Sequence, residues 1–303
     1  MKIATTTAEI LPHVGTDFVK ATRFYRGTGF RYLDFSFYRA VTQPDHPLMR
    51  DDWRDAIHAV KKVSDEEGFI WVQAHLPACK LVDEGKDVGL EACLRAIEAC
   101  GILGIENAVI HSSLGEGNFF RYPQDEAAYI EANKPFFRAL IPAMEQYGVN
   151  VLLENSCEVN TRGLYFPMTG ADLNRMIKAL DHPRFGACWD VGHANIQGLS
   201  HREELVTLGK NLKAVHIHDN NGQKDQHKPP FDGTMDFDDF MQGLIEIGFE
   251  GPFTFEVDGY LTFRPEKDGK PLSTVPLAVK HASVKALYET GCAMLAAYGI
   301  EGE

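Results

Sequence analysis

Short apolar runs alternate along the chain with longer segments whose hydrophobic positions recur every three or four residues. The short runs are KIATT (2–6), YLDFSF (32–37), IWVQAH (70–75), NAVIHS (107–112), NVLLENS (150–156), FGACWD (185–190), KAVHIH (213–218) and FTFEV (253–257). Each is nearly continuous in its apolar character, which is how strands covered on both faces read. Helical periodicity fills the gaps. Trp53, Ile57, Val60 and Val63 mark one face of a helix over 52–68, and 90–104, 131–148, 170–185, 235–251 and 276–299 read likewise. Pro142 predicts a kink in the third of these. Strands alternating with helices predict a parallel sheet, and eight such units predict closure. The expected fold is α/β, a single (β/α)8 TIM barrel formed by one domain over 1–303. An open doubly wound sheet would carry a Gly-rich phosphate loop after the first strand, and TTTAEILPHVG is not one.

Composition narrows the partners. A formal net charge of −13 argues against nucleic acid, whose affinity comes from Lys and Arg neutralising phosphates. The six cysteines show no C-x-x-C spacing and fit buried small hydrophobes in a reducing compartment. With no apolar signal region and no run long enough to span a bilayer, the expectation is a cytoplasmic protein with no membrane partner.

The strand ends carry the chemistry. Asp34, His75, His111, Glu154, Asp190, His216 and Glu256 each stand against an apolar run near the end of a strand. Burying such groups without partners costs several kcal/mol, on the order of a whole core side chain, so their recurrence needs a cause. In a barrel these ends converge on one face, where active sites sit. Glu154, Asp190, His216 and Glu256 would then surround one point. Three carboxylates and an imidazole make a hard, anionic site for a divalent metal, Mn²⁺ first, with Mg²⁺, Co²⁺ and Zn²⁺ as alternatives. Phe37, Phe119, Phe120, Phe166 and Trp189 are candidates for a pocket wall or for barrel packing. Lys224 and Arg162 are candidates for holding an anionic group, and the loop 259–276 for a lid or a homo-oligomer contact.

The motifs LLENS, WDVGHAN, VHIHDNNGQKDQHKPPFDGTMDF and FTFEV resemble those of the xylose isomerase-like barrel superfamily, which includes sugar phosphate isomerases and epimerases. The resemblance runs over essentially the whole chain. It implies that Glu154, Asp190, His216 and Glu256 are metal ligands. Glu154 and Glu256 would also be catalytic, one removing a proton beside a carbonyl through a metal-stabilised enediolate and the other returning it. A small-molecule carbohydrate is the implied substrate. A sugar dehydratase or glycoside-cleaving lyase of the same superfamily is the alternative. His193 resembles a residue that bonds a substrate oxygen, and His218 a supporting residue beside His216. Two positions depart from the ketose 3-epimerases, Asn160 where a Glu is usual and Gly222 where an Arg is usual. The endonuclease IV branch offers a rival, a zinc phosphodiesterase, because its further ligand positions have counterparts in His75, His111, His193, Asp225 and His227. Those five are expected to bind substrate or a second metal, with the loop carrying Asp225 and His227 read as holding substrate.

Overall fold

The computed structural model describes residues 1–43, 45–78, 86–112, 119–261, 266–267, 270–271 and 275–303. Eight parallel strands close into a barrel in chain order, β1 pairing with both β2 and β8. In sequence the elements are β1 (Ile3–Thr6), α1 (Leu11–Val14), α2 (Phe18–Phe24), β2 (Tyr32–Ser36), α3 (Trp53–Glu67), β3 (Ile70–His75), α4 (Lys86–Leu103) and β4 (Asn107–Ile110). They continue with α5 (Glu126–Tyr147), β5 (Asn150–Glu154), α6 (Glu158–Thr161), α7 (Gly170–Leu180), β6 (Phe185–Asp190), α8 (Val191–Gln197) and α9 (His201–Leu208). The last six are β7 (Leu212–Ile217), α10 (Phe237–Glu246), β8 (Phe253–Phe255), the antiparallel pair β9 (Glu266–Lys267) and β10 (Lys270–Pro271), and α11 (Leu277–Ala297). The expected single (β/α)8 barrel is the observed architecture.

Local chemistry explains the boundaries. Trp53, Ile57, Val60 and Val63 are buried along one face of α3, which ends where Gly68 takes φ 78°. Thr169 and Asp172 cap α7 reciprocally, side chain to backbone in both directions. That helix stops at Leu180 rather than 185, because Asp181 turns left-handed at φ 50°. The helix α5 runs unbroken past Pro135 and Pro142. Two elements between β6 and β7, α8 and α9, were not predicted. Among the described residues no helix is long and apolar enough to cross a membrane.

Strand alternation splits the core in two. Outward residues such as Val151, Leu153, Trp189, Val215 and Ile217 join the large cluster beneath the helices. The inward residues Val109, Leu152, Cys188 and Ala214, all 0% exposed, form a separate apolar plug inside the barrel. Each stands two residues before a candidate site residue: His111, Glu154, Asp190 and His216. A period of two therefore stacks those four polar groups directly above the plug.

Candidate metal centre and pocket

The four strand-end groups meet. One ligand atom from each of Glu154, Asp190, His216 and Glu256 lies within 4.8 Å of the others. Glu154 and Asp190 are the last residues of β5 and β6, His216 is next to last in β7, and Glu256 follows β8. All are buried, at 2%, 0%, 0% and 8% exposure. The His216 ring turns Nδ1 to Glu154 Oε1 at 2.6 Å and to Glu256 Oε2 at 3.4 Å. Asp190 also works as the N-cap of α8, where its Oδ1 accepts the His193 amide at 2.7 Å. That bond places His193 in the first turn, facing the same space.

The remaining candidates line a cavity of about 200 Å³ above the four. His75 and His111 hold Nε2 at 3.4 and 3.3 Å from Glu154 Oε2, yet neither contact meets the geometry of a hydrogen bond. Opposite them runs a chain of alternating acid and imidazole. Asp258 Oδ1 lies 3.1 Å from His227 Nδ1, His227 Nε2 3.2 Å from Asp225 Oδ1, and Asp225 Oδ2 3.2 Å from His193 Nε2. Asn160 donates to Asp225 Oδ2 at 2.9 Å, so it stands inside the site. His227 holds a left-handed φ of 46°, uncommon for a residue with a Cβ, and this turns its ring into the cavity.

His218, 0% exposed, reaches both Asp190 oxygens at 3.0 and 3.1 Å and stacks on His227 with centroids 4.0 Å apart. Gly192 makes room for it: a Cβ there would sit 1.9 Å from His218 Cε1.

The polar contacts test whether a cation fits. His75 and His193 each place Nδ1 2.9 Å from a main-chain carbonyl, of Leu76 and Asn155, which fixes the proton on that nitrogen. The His75 Nε2 lone pair then faces Glu154 Oε2, acceptor against acceptor, while that of His193 faces Asp225 Oδ2 and also accepts from Asn160 Nδ2 at 3.2 Å. A positive charge between them, a proton or a metal ion, removes the repulsion. The donor set and this arrangement fit a divalent cation. Burial works to raise Glu154, but the imidazoles of His216 and His111 outweigh it and hold the carboxyl well below its usual range. Burial pushes His111 down to about 4 against the pull of Glu154.

Other expectations need correction. Phe37, Phe120 and Trp189 pack in or against the core, Phe166 is buried away from the cavity, and Phe119 is 79% exposed, so none lines the cavity. Tyr38 forms its aromatic wall, edge-on to His75 at 5.0 Å. Lys224 and Arg162 are exposed and lie outside it, and Arg39 is the arginine that lines it. Asp34 lies inside β2, below the cavity rather than at its rim. Half of the loop 259–276 falls outside the described residues, as does Cys79. Residues that the motifs did not announce are Gln73, two positions before His75 in β3, and Asp258, two positions after Glu256 and beyond β8.

A family model described as a xylose isomerase-like TIM barrel matches residues 23–272. The chain belongs to this family. Within the xylose isomerase-like TIM barrels, it is 30% identical over 167 residues to an uncharacterized protein of Methanocaldococcus jannaschii, covering 54% of this chain and 55% of that one. It is 27% identical over 173 residues to a ketose 3-epimerase of Arthrobacter globiformis, covering 55% of each. The chain thus spans about half the length of the curated relatives it matches. Among solved structures, D-psicose 3-epimerase from Clostridium cellulolyticum superposes with a TM-score of 0.74 at 16% identity, over 97% of this chain and 99% of that one. The 3-keto-D-glucoside 4-epimerase of E. coli gives 0.69 at 21% identity, over 96% and 99%. These superpositions establish the shared fold.

Proposed function

We propose that this protein is a metal-dependent isomerase or epimerase acting on a sugar or sugar phosphate. The observation that carries the reading is the buried convergence of Glu154, Asp190, His216 and Glu256, of which Glu154 and Glu256 line the cavity. The epimerase names of the matched relatives support it. Glu154, Asp190, His216 and Glu256 would hold a divalent cation, with Mn²⁺ the first choice. When bound, that cation supplies positive charge beside the carbonyl and hydroxyl oxygens that gain negative charge as a proton leaves.

The chain's own groups do the rest. Glu154 ends β5 and Glu256 follows β8, and both line the cavity. One takes the proton from the carbon next to the carbonyl, and the other gives a proton back to the opposite face. Isomerisation needs only one of them to carry the proton to the neighbouring carbon. His193 and Asp225 bond substrate hydroxyls, and Asn160 holds Asp225 in place. The plug below and the walls above keep water from the carbanionic carbon. A dehydratase or lyase uses the same first proton transfer and differs in the group that leaves.

Solvent exchange tests this. With candidate ketoses in D₂O, the wild type should place deuterium at the carbon beside the carbonyl. Glu154→Gln and Glu256→Gln should each lose at least a hundredfold in that exchange, the scale of one general base. Full exchange in either variant removes it from the mechanism.

A second reading has one specific observation behind it. His75, His111 and Glu154, and separately His218, Asp225 and His227, form further clusters with ligand atoms within 4.8 Å. Several cations held together would suit a phosphodiesterase. Nicking of abasic-site DNA, absent in the first reading, decides between them.

A further inference from the structure

Gln73 is 0% exposed and points into the barrel two residues below His75. Its Nε2 lies 2.7 Å from Nε2 of His216, and its Oε1 accepts from Thr254 Oγ1 at 3.4 Å. A carboxamide nitrogen can only donate, so in this orientation the ring Nε2 accepts. The ring proton then sits on Nδ1, where it meets Glu154 Oε1 at 2.6 Å. In that arrangement His216 turns a proton, not a lone pair, toward the three carboxylates.

A half-turn of the carboxamide reverses this. Its oxygen then accepts from Nε2–H, its NH₂ donates to the Thr254 hydroxyl, and the Nδ1 lone pair faces Glu154, Asp190 and Glu256. One proton leaves Nδ1 and one is held at Nε2. The two orientations have the same shape. His75, His193 and His227 have no such freedom, because each places Nδ1 2.9 Å from a main-chain carbonyl that cannot turn over. Of these four rings, His216 alone rests its outer nitrogen on a group able to present either a donor or an acceptor.

We propose that Gln73 is the positioning residue that sets the tautomer of His216, and that its carboxamide turns over when a cation binds. The proposal rests on the reading of His216 as a metal ligand. Outer partners of ligating histidines are worth 10–100-fold in metal affinity.

The test uses Zn²⁺ on the full chain, with affinity read by chelator competition. Gln73→Met, which keeps the length and removes the acceptor, should bind Zn²⁺ roughly 10–100-fold more weakly. Gln73→Glu, which can only accept when ionised, should retain wild-type affinity or better. Nitrogen-15 spectra of histidine-labelled wild type should place the His216 proton on Nδ1 before Zn²⁺ and on Nε2 after it. That readout does not depend on how well either variant folds. A proton already on Nε2 before Zn²⁺ overturns the proposal. So does Gln73→Met affinity within twofold of wild type while Glu154→Gln loses binding, which leaves the ligand set standing. Unchanged affinity in both variants overturns the ligand reading as well.

Discussion

Lys280 is the deepest cation described in this protein, and removing its charge should unfold the barrel earlier in a way that pH reveals. Its side chain and that of Glu9 are each 1% exposed, and Nζ lies 3.2 Å from Glu9 Oε2. Nζ also donates to the Tyr260 carbonyl at 2.8 Å, so one ammonium ties α11 to the segment after β1 and to the loop after β8. Glu9 further accepts from Thr5 Oγ1 at 2.9 Å and Tyr25 OH at 3.2 Å. In Lys280→Met the two hydroxyls remain but the counter-charge is gone. Breaking a buried pair by removing one partner costs about 3–5 kcal/mol, because the other charge stays buried. At roughly 2 °C per kcal/mol for a chain of this size, Tm should fall by about 6–10 °C.

The pH dependence identifies the cause. Burial already raises Glu9 above its usual value while Lys280 pulls it down, so losing Lys280 raises it further. A carboxyl raised in the folded state keeps its proton where the unfolded chain has lost it. Stability is then complete below the unfolded value near 4.5 and is lost as pH rises through the folded one. The Tm deficit of Lys280→Met should therefore shrink in acid and grow toward neutrality. Adding Glu9→Gln, which keeps the bonds to Thr5 and Tyr25, should recover most of the loss. Thermal melts of the two variants between pH 4.5 and 7.5 make the measurement. A single-variant loss below about 1 kcal/mol at pH 7, or a double variant no better than the single, refutes the argument.

Other outcomes follow from the same geometry. Gly192→Ala places a Cβ 1.9 Å from His218 Cε1, so overpacking should cost about 1–3 kcal/mol and weaken cation binding; His218→Ala in the same chain should restore the melt but not the binding. Burial holds His46 and His201 down at about 4, whereas the unfolded chain titrates them near 6.5. Because the unfolded state takes up protons first, stability should be complete above 6.5 and fall as pH drops to 4, by on the order of 3 kcal/mol per histidine. Urea midpoints across that range check it, and a flat profile would remove the buried-neutral assignment.

The barrel was legible because strands covered on both faces cannot hide their apolar runs, and eight of them have few ways to pack. The polar residues that converge were legible for the same reason: Glu154 or Asp190 against such a run has no cheap explanation. Boundaries slipped where the apolar pattern outlasts the ladder. Glu256 still donates its amide to the Ile217 carbonyl at 3.0 Å although β8 ends at Phe255. Gln73 and Asp258 escaped notice because their meaning lies across the barrel, in Thr254 and His216 or in His227, and spacing along the chain says nothing of that. The aromatic wall was misread because Trp189 and Phe37 are apolar enough to serve either side of the sheet, and packing beneath the helices claimed them.

The plug of Val109, Leu152, Cys188 and Ala214 has a kinetic meaning. With the lumen sealed under the carboxylates, the cavity is a cul-de-sac, and everything that reaches its floor passes through the space where a sugar would lie. On the proposed reading the ion must arrive first, and it is trapped for as long as sugar occupies the mouth. Protein stripped of metal and pre-filled with sugar should therefore start with a lag when ion is added, while the reverse order of mixing should not.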